Sequence, residues 1–150
     1  MLVKYYKKNK SFDIDGGYNY GNLYSSFKLP TEYRDKGILS DLNVEYNILE
    51  VTTKGLIFDS SPFYEFYIYR DKDIILVSEN INSILKEIRT LQVDDVSVSI
   101  VMTFGQVPSS DYPGVGRTMF ENIKSFKGST YFEIDIENNI DEFKIKEIKP

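Results

Sequence analysis

The stretch Leu56-Ile57-Phe58-Asp59-Ser60-Ser61-Pro62-Phe63-Tyr64-Glu65-Phe66-Tyr67-Ile68-Tyr69-Arg70-Asp71-Lys72-Asp73-Ile74-Ile75-Leu76-Val77 decides the fold class. Short apolar runs rich in Ile, Phe and Tyr alternate with polar breaks at Asp59 to Pro62 and at Arg70 to Asp73. Such runs suit a pleated, half-buried surface better than a helix. The pattern predicts strands over 56–58, 63–69 and 74–77, joined as an antiparallel meander. On the middle strand, Tyr64, Phe66 and Ile68 take the core side. Phe63, Tyr67 and Tyr69 take the other face, where Glu65 between them argues against complete burial and makes them interaction candidates.

Upstream, Val44, Tyr46 and Ile48 alternate with Glu45 and Asn47 as a half-buried strand would, and Thr53-Lys54-Gly55 turns the chain. Leu2 to Tyr6 and Ser11 to Ile14 read as short strands. Asp15-Gly16-Gly17 and Gly21-Asn22 are turn signals, and 21–41 reads as loops with short strand pieces. Downstream, Ile81, Ile84, Leu85 and Ile88 share one helical stripe, so a helix is expected over 80–91, capped by Ser78 or Asn80. Asp94 to Phe104 alternates like a strand, yet Val93, Val96, Ile100 and Phe104 also trace a helical stripe. The Gly- and Pro-bearing 105–117 reads as a loop carrying Arg117 to the surface. Thr130, Phe132, Ile134 and Ile136 then alternate again, Asn138-Asn139 turns, and Phe143 and Ile145 return as the partner strand.

The chain of 150 residues fits one domain. It has no Cys and no His. That excludes disulfides, Cys-His and Ser-His-Asp hydrolysis and nearly every zinc site. No cofactor and no metal are expected. The paired carboxylates Asp13 and Asp15, and Asp94 and Asp95, lack further ligands in register, and the second pair is better explained as a helix cap and first-turn charge. With a net charge of −5 the chain repels phosphate backbones, and Lys4, Lys7, Lys8 and Lys10 read as a solvated segment, so no nucleic acid is expected. Met1-Leu2-Val3-Lys4 has no secretory pattern and no run approaches the roughly 20 apolar residues of a membrane span. The expectation is a cytoplasmic protein without a membrane partner.

Four segments, in order, resemble the glutaminase domain of the asparagine synthetase family. They are Asp59-Ser60-Ser61-Pro62-Phe63-Tyr64-Glu65-Phe66-Tyr67, Tyr69-Arg70-Asp71-Lys72-Asp73-Ile74-Ile75-Leu76-Val77-Ser78-Glu79 with the helix after it, Val101-Met102-Thr103-Phe104-Gly105-Gln106-Val107-Pro108, and Arg117 to Asp135. The resemblance implies an α+β fold over 1–150, a truncated sandwich of mostly antiparallel sheets like that of the N-terminal nucleophile hydrolases. Two helices, 80–91 and 94–104, would cover one face, so 94–104 is expected as helix despite its alternation.

The departures lie in the N-terminal half. Family enzymes use an N-terminal Cys whose own amino group is the base; here residue 2 is Leu2. The carboxylate-clamping arginine has no clear counterpart, and Tyr20-Gly21-Asn22-Leu23-Tyr24-Ser25 only faintly echoes the oxyanion segment. No catalytic residue is assigned. What the resemblance implies is a non-catalytic accessory or regulatory module. It would bind an asparagine synthetase-like, amide-forming enzyme or its peptide substrate, for instance in peptide natural-product biosynthesis. Phe63, Tyr67, Tyr69 and Arg117 are the candidate binding residues. Two alternatives stay open: a divergent amidohydrolase activated by N-terminal processing, for example at Ser11, and a structural subunit that oligomerises through Tyr-rich strands.

Overall fold

The computed structural model describes residues 1–29, 46–88 and 115–146, and the side chain of Arg117 is outside this description. The strands are β1 (Leu2–Tyr6), β2 (Ser11–Asp15), β3 (Tyr18–Tyr20), β4 (Leu23–Ser25), β5 (Ile48–Val51) and β6 (Gly55–Asp59). After them come β7 (Phe66–Arg70), β8 (Ile74–Ser78), one short helix α1 (Ile81–Leu85), β9 (Val115–Arg117), β10 (Ile123–Phe126), β11 (Thr130–Asp135) and β12 (Ile140–Ile145). They form two six-stranded sheets, ordered β2-β1-β8-β7-β10-β9 and β12-β11-β6-β5-β4-β3, with antiparallel pairing throughout.

The two sheets face each other across one core. Val3, Tyr5, Phe66, Ile68, Ile75, Val77 and Phe126 point in from the first sheet, and Leu49, Leu56, Phe58, Phe132 and Ile134 from the second. The alternation that defined the strands thus defines the faces. On β7, Phe66 and Ile68 enter the core, while Tyr67 and Tyr69 pack on the outer face with Leu2, Leu76, Ile123 and Ile84 of α1. Phe126 stacks on Phe66 at 5.4 Å and meets Phe143 edge-on at 5.5 Å, so aromatic rings bridge the sheets.

The chain changes sheet three times: at Gly16-Gly17, between Asp59 and Phe66, and between Phe126 and Thr130. Positive φ at Gly16 (78°), Gly17 (81°) and Gly128 (77°) allows the first and third of these turns. All three lie at one end of the sandwich, because Leu2 sits opposite Asp15 and Ser78, Phe66 opposite Phe126, and Asp59 opposite Tyr131. Gly128 N donates to Ser61 O at 3.1 Å and Ser60 Oγ to Thr130 O at 2.7 Å, tying the second crossover to the third.

Hairpins close the opposite end. There Tyr5 Oη donates to Asn139 Oδ1 at 2.7 Å, and Arg70 reaches from β7 to Asp141 of β12 at 3.1 Å. The Arg70 guanidinium also lies 5.0 Å from the Phe143 ring centre.

Several expectations need correction. Of the strand expected over 44–48, Val44 and Glu45 lie outside the described residues, Tyr46 and Asn47 are not in a strand, and β5 begins at Ile48. Asn47 is buried and spends its side chain on the crossover, accepting from Ser61 N at 2.7 Å and donating to Glu65 O at 3.3 Å. The strand expected from Phe63 begins at Phe66. Ser61 Oγ accepts from the backbone N of Phe63 and of Tyr64, folding both into a turn and leaving Tyr64 45% exposed instead of in the core. Residues 115–117 form an edge strand on β10 instead of a loop, anchored by buried Val115.

The helix expected over 80–91 is capped by Asn80, whose Oδ1 accepts from Asn82 N at 3.0 Å, but it holds only Ile81–Leu85. Residues 89–91 of that expectation, the whole helix expected over 94–104, and Val44 lie outside the described residues. No helix among the described residues is long and apolar enough to cross a membrane.

Candidate functional site

The crossover end carries a cavity of about 360 Å³ lined by Phe27, Phe63, Tyr64, Glu65, Tyr67, Glu79 and Lys127. Four separate stretches build it, one of them Glu79 after β8. Phe27 follows β4, with its backbone N held by Ser25 Oγ at 3.1 Å. Phe63 to Tyr67 come from the Ser61 turn and the start of β7, and Lys127 comes from the third crossover.

Among the described residues, Phe63 is the most exposed of the large apolar side chains, at 70%. A phenyl ring left in water on a hydrogen-bonded turn contributes nothing to the core; its apolar area is available for contact. The Tyr64 ring leans on Phe27 with centroids 5.1 Å apart, and Phe27 leans on Tyr46 at 5.9 Å. The exposed Tyr64 ring therefore stands on a packed base, which limits the rotamer entropy lost on binding.

Glu79 forms the acidic wall. It follows β8, where Ser78 Oγ donates to Met1 O at 2.8 Å and fixes the strand end. Ser26 Oγ donates to Glu79 Oε1 at 2.5 Å, and the amino group of Met1 donates to Ser26 Oγ at 3.3 Å. Burial pushes the Glu79 carboxyl above its ordinary range, and the Ser26 hydrogen bond, the Met1 amino charge and an Asn47 hydrogen bond offset this only in part. Glu65 lies at the rim, 3.7 Å from Lys127, with both side chains well exposed. The Tyr67 hydroxyl is pushed up by burial and by its hydrogen bond to Glu65.

The raised Glu79 carboxyl gives a signed expectation. Below the ordinary value of 4.5 folded and unfolded chains both keep the proton. As pH rises from there, the unfolded chain releases it first, so ionisation progressively disfavours the folded state until its own higher value is passed. Glu79→Gln cannot ionise. Urea midpoints at about pH 4 and about pH 8 should therefore shift in favour of the Gln variant at the higher pH.

Of the residues singled out from sequence, Phe63 and Tyr67 come together here. Tyr69 does not join them: it lines a second cavity of about 420 Å³ with Lys4, Tyr6, Asp71 and Glu87, and its hydroxyl donates to Asp71 Oδ2 at 3.0 Å. Arg117 ends β9, and its side chain lies outside the described residues. Asp13 and Asp15 stand exposed on β2, while Asp94 and Asp95 fall outside the description. Among the described residues, no group of three or more Asp, Glu, His or Cys is placed to hold a metal ion. Sequence reasoning missed Phe27, Glu79 and Lys127 as site members. Glu79 was visible only within the Ser78-Glu79 match, and nothing local to Phe27 or Lys127 places them beside β7.

No family model, no curated protein and no solved structure matches this chain.

Proposed function

We propose that this chain is a non-catalytic binding module, acting in the cytoplasm, whose crossover-end cavity takes a segment of a partner protein or peptide. The observation that carries the reading is Phe63: an exposed phenyl on a turn rigidified by Ser61, next to Tyr64 and lining one cavity with the half-buried Glu79 carboxyl. Aromatic side chains on a fixed base supply large contact area at small entropic loss, which is how binding hot spots are built.

The finer reading is that the scaffold descends from the glutaminase domain of asparagine synthetases and that the partner is an amide-forming synthetase or the peptide it modifies. What supports it is the four-segment resemblance together with a two-sheet antiparallel architecture of the kind that resemblance implies. The absence of Cys supports loss of the amide-cleaving step.

The test is capture of partner from the native host by tagged protein, compared with Phe63→Ala and Tyr64→Ala. Each substitution should lower recovery of a specifically retained partner by about tenfold, the effect of losing one hot-spot aromatic. Both residues are exposed, so folding should be preserved. Equal recovery by wild type and both variants would remove the cavity from the function. A retained protein bearing no amide-forming domain, and not a substrate of one, would refute the finer reading alone.

A further inference from the structure

The cavity has a chemical bias that the general reading does not use. Its walls combine aromatic rings with two carboxylates, Glu65 and Glu79. The positive charge nearest the rim, Lys127, is about half exposed and 3.7 Å from Glu65, so that pair holds little energy and yields to a competing cation. Glu79 is different. It is half-buried in the same cavity wall, and it is reached by Ser26 and Asn47, neutral donors that leave its charge in place. The Met1 amino group meets this cluster through Ser26 Oγ.

We propose that the cavity takes an arginine side chain of the partner segment, its guanidinium against Glu79 and Glu65 and its stem along the rings of Phe63 and Tyr64. This rests on the reading of the cavity as a peptide-binding site. Three features favour arginine. A planar guanidinium stacks on aromatic faces while forking its donors to carboxylates, which a compact, strongly hydrated ammonium does less well. A half-buried carboxylate that the Met1 amino group meets only through Ser26 Oγ is stabilised further by a cation that arrives with its own hydrogen bonds. The protein also uses this combination internally, where Arg70 lies over Phe143 and Phe132 while pairing with Asp141.

The probes are three blocked pentapeptides with glycine flanks and arginine, citrulline or leucine at the centre. They are titrated into ¹⁵N-labelled full-length protein while amide shifts are followed. The arginine peptide should perturb Phe63, Tyr64 and Glu79 saturably, and the citrulline peptide, equal in shape but neutral, should bind about tenfold more weakly. Glu79→Gln, and separately the better-exposed Glu65→Gln, should each shrink the arginine preference, so a folding defect in one variant leaves the other to report. Equal affinity for arginine and citrulline, or an arginine peptide that moves none of these amides, overturns the proposal. A leucine peptide binding there as tightly overturns arginine as the occupant yet leaves the binding module standing. The module itself falls only if Phe63→Ala and Tyr64→Ala retain full partner capture.

Discussion

Gly55→Ala should lose about 3 kcal/mol or more of folding stability, read as a drop in the urea midpoint with an unchanged slope. Gly55 begins β6 opposite Asp135, where the end of β11 crosses close above it. A Cβ built there would overlap the Ile134 carbonyl oxygen and stand 2.9 Å from the carbonyl carbon and 3.0 Å from Ile136 N. These atoms are backbone, held by the β6–β11 pairing and by the bond from Ile136 N to Lys54 O at 2.9 Å. Relief therefore requires the strands to part. Gly21→Ala is the control: its φ is +71° but nothing lies within 4 Å of the added carbon. Its loss should be about 1 kcal/mol, the left-handed penalty alone. Equal effects at the two positions would refute the steric account.

Phe126→Ala should cost about 3–5 kcal/mol. The ring is fully buried at the end of β10, stacked on Phe66 and in contact with Phe132 at 6.2 Å and Phe143 at 5.5 Å. It links rings of both sheets, so its removal leaves a void that neither sheet can close without shifting against the other. A single domain holds roughly 5–15 kcal/mol in all, so this one substitution takes a large share. Phe126→Leu, which keeps much of the volume, should retain most of the stability. A loss below about 1 kcal/mol for the alanine variant would mean that the inter-sheet contact is looser than described.

Much of the architecture is legible in the sequence because two-residue periodicity is a local signal. β11 and β12 fall where alternation places them, β6 and β8 fall on short apolar runs between polar breaks, and β1 and β2 follow from short apolar runs closed by Asp15-Gly16-Gly17. The misses have other causes. Asn47 and Tyr64 look like parts of strands, but the Asn47 amide reaches Ser61 N across the crossover, a contact between separate segments, and the Ser61 hydroxyl takes the Phe63 and Tyr64 N–H groups into a turn that competes locally with the strand. β3, β9 and β10 are short; Ile123 and Phe126 are three residues apart and so face opposite sides of the sheet, a spacing that disguises the strand. The site was legible only through Phe63 and Tyr67. Phe27, Glu79 and Lys127 join them because β4 and β8 end where the second and third crossovers lie, and no local pattern encodes that convergence.

The tie between Tyr5 and Asn139 spans 134 positions, and it bears on how the chain is made. β1 pairs early with β2 but must wait for β8 on its other edge, and β6, already beside β5, must wait for β11. Topologies dominated by such distant pairings fold slowly, on millisecond-to-second scales. During synthesis, at roughly 5–20 residues per second, the first sheet edge therefore emerges from the ribosome seconds before its partner exists. The Tyr- and Ile-rich segments of the early strands stay open to misassociation in that interval, so yield in a foreign host should depend on chaperone supply and growth temperature.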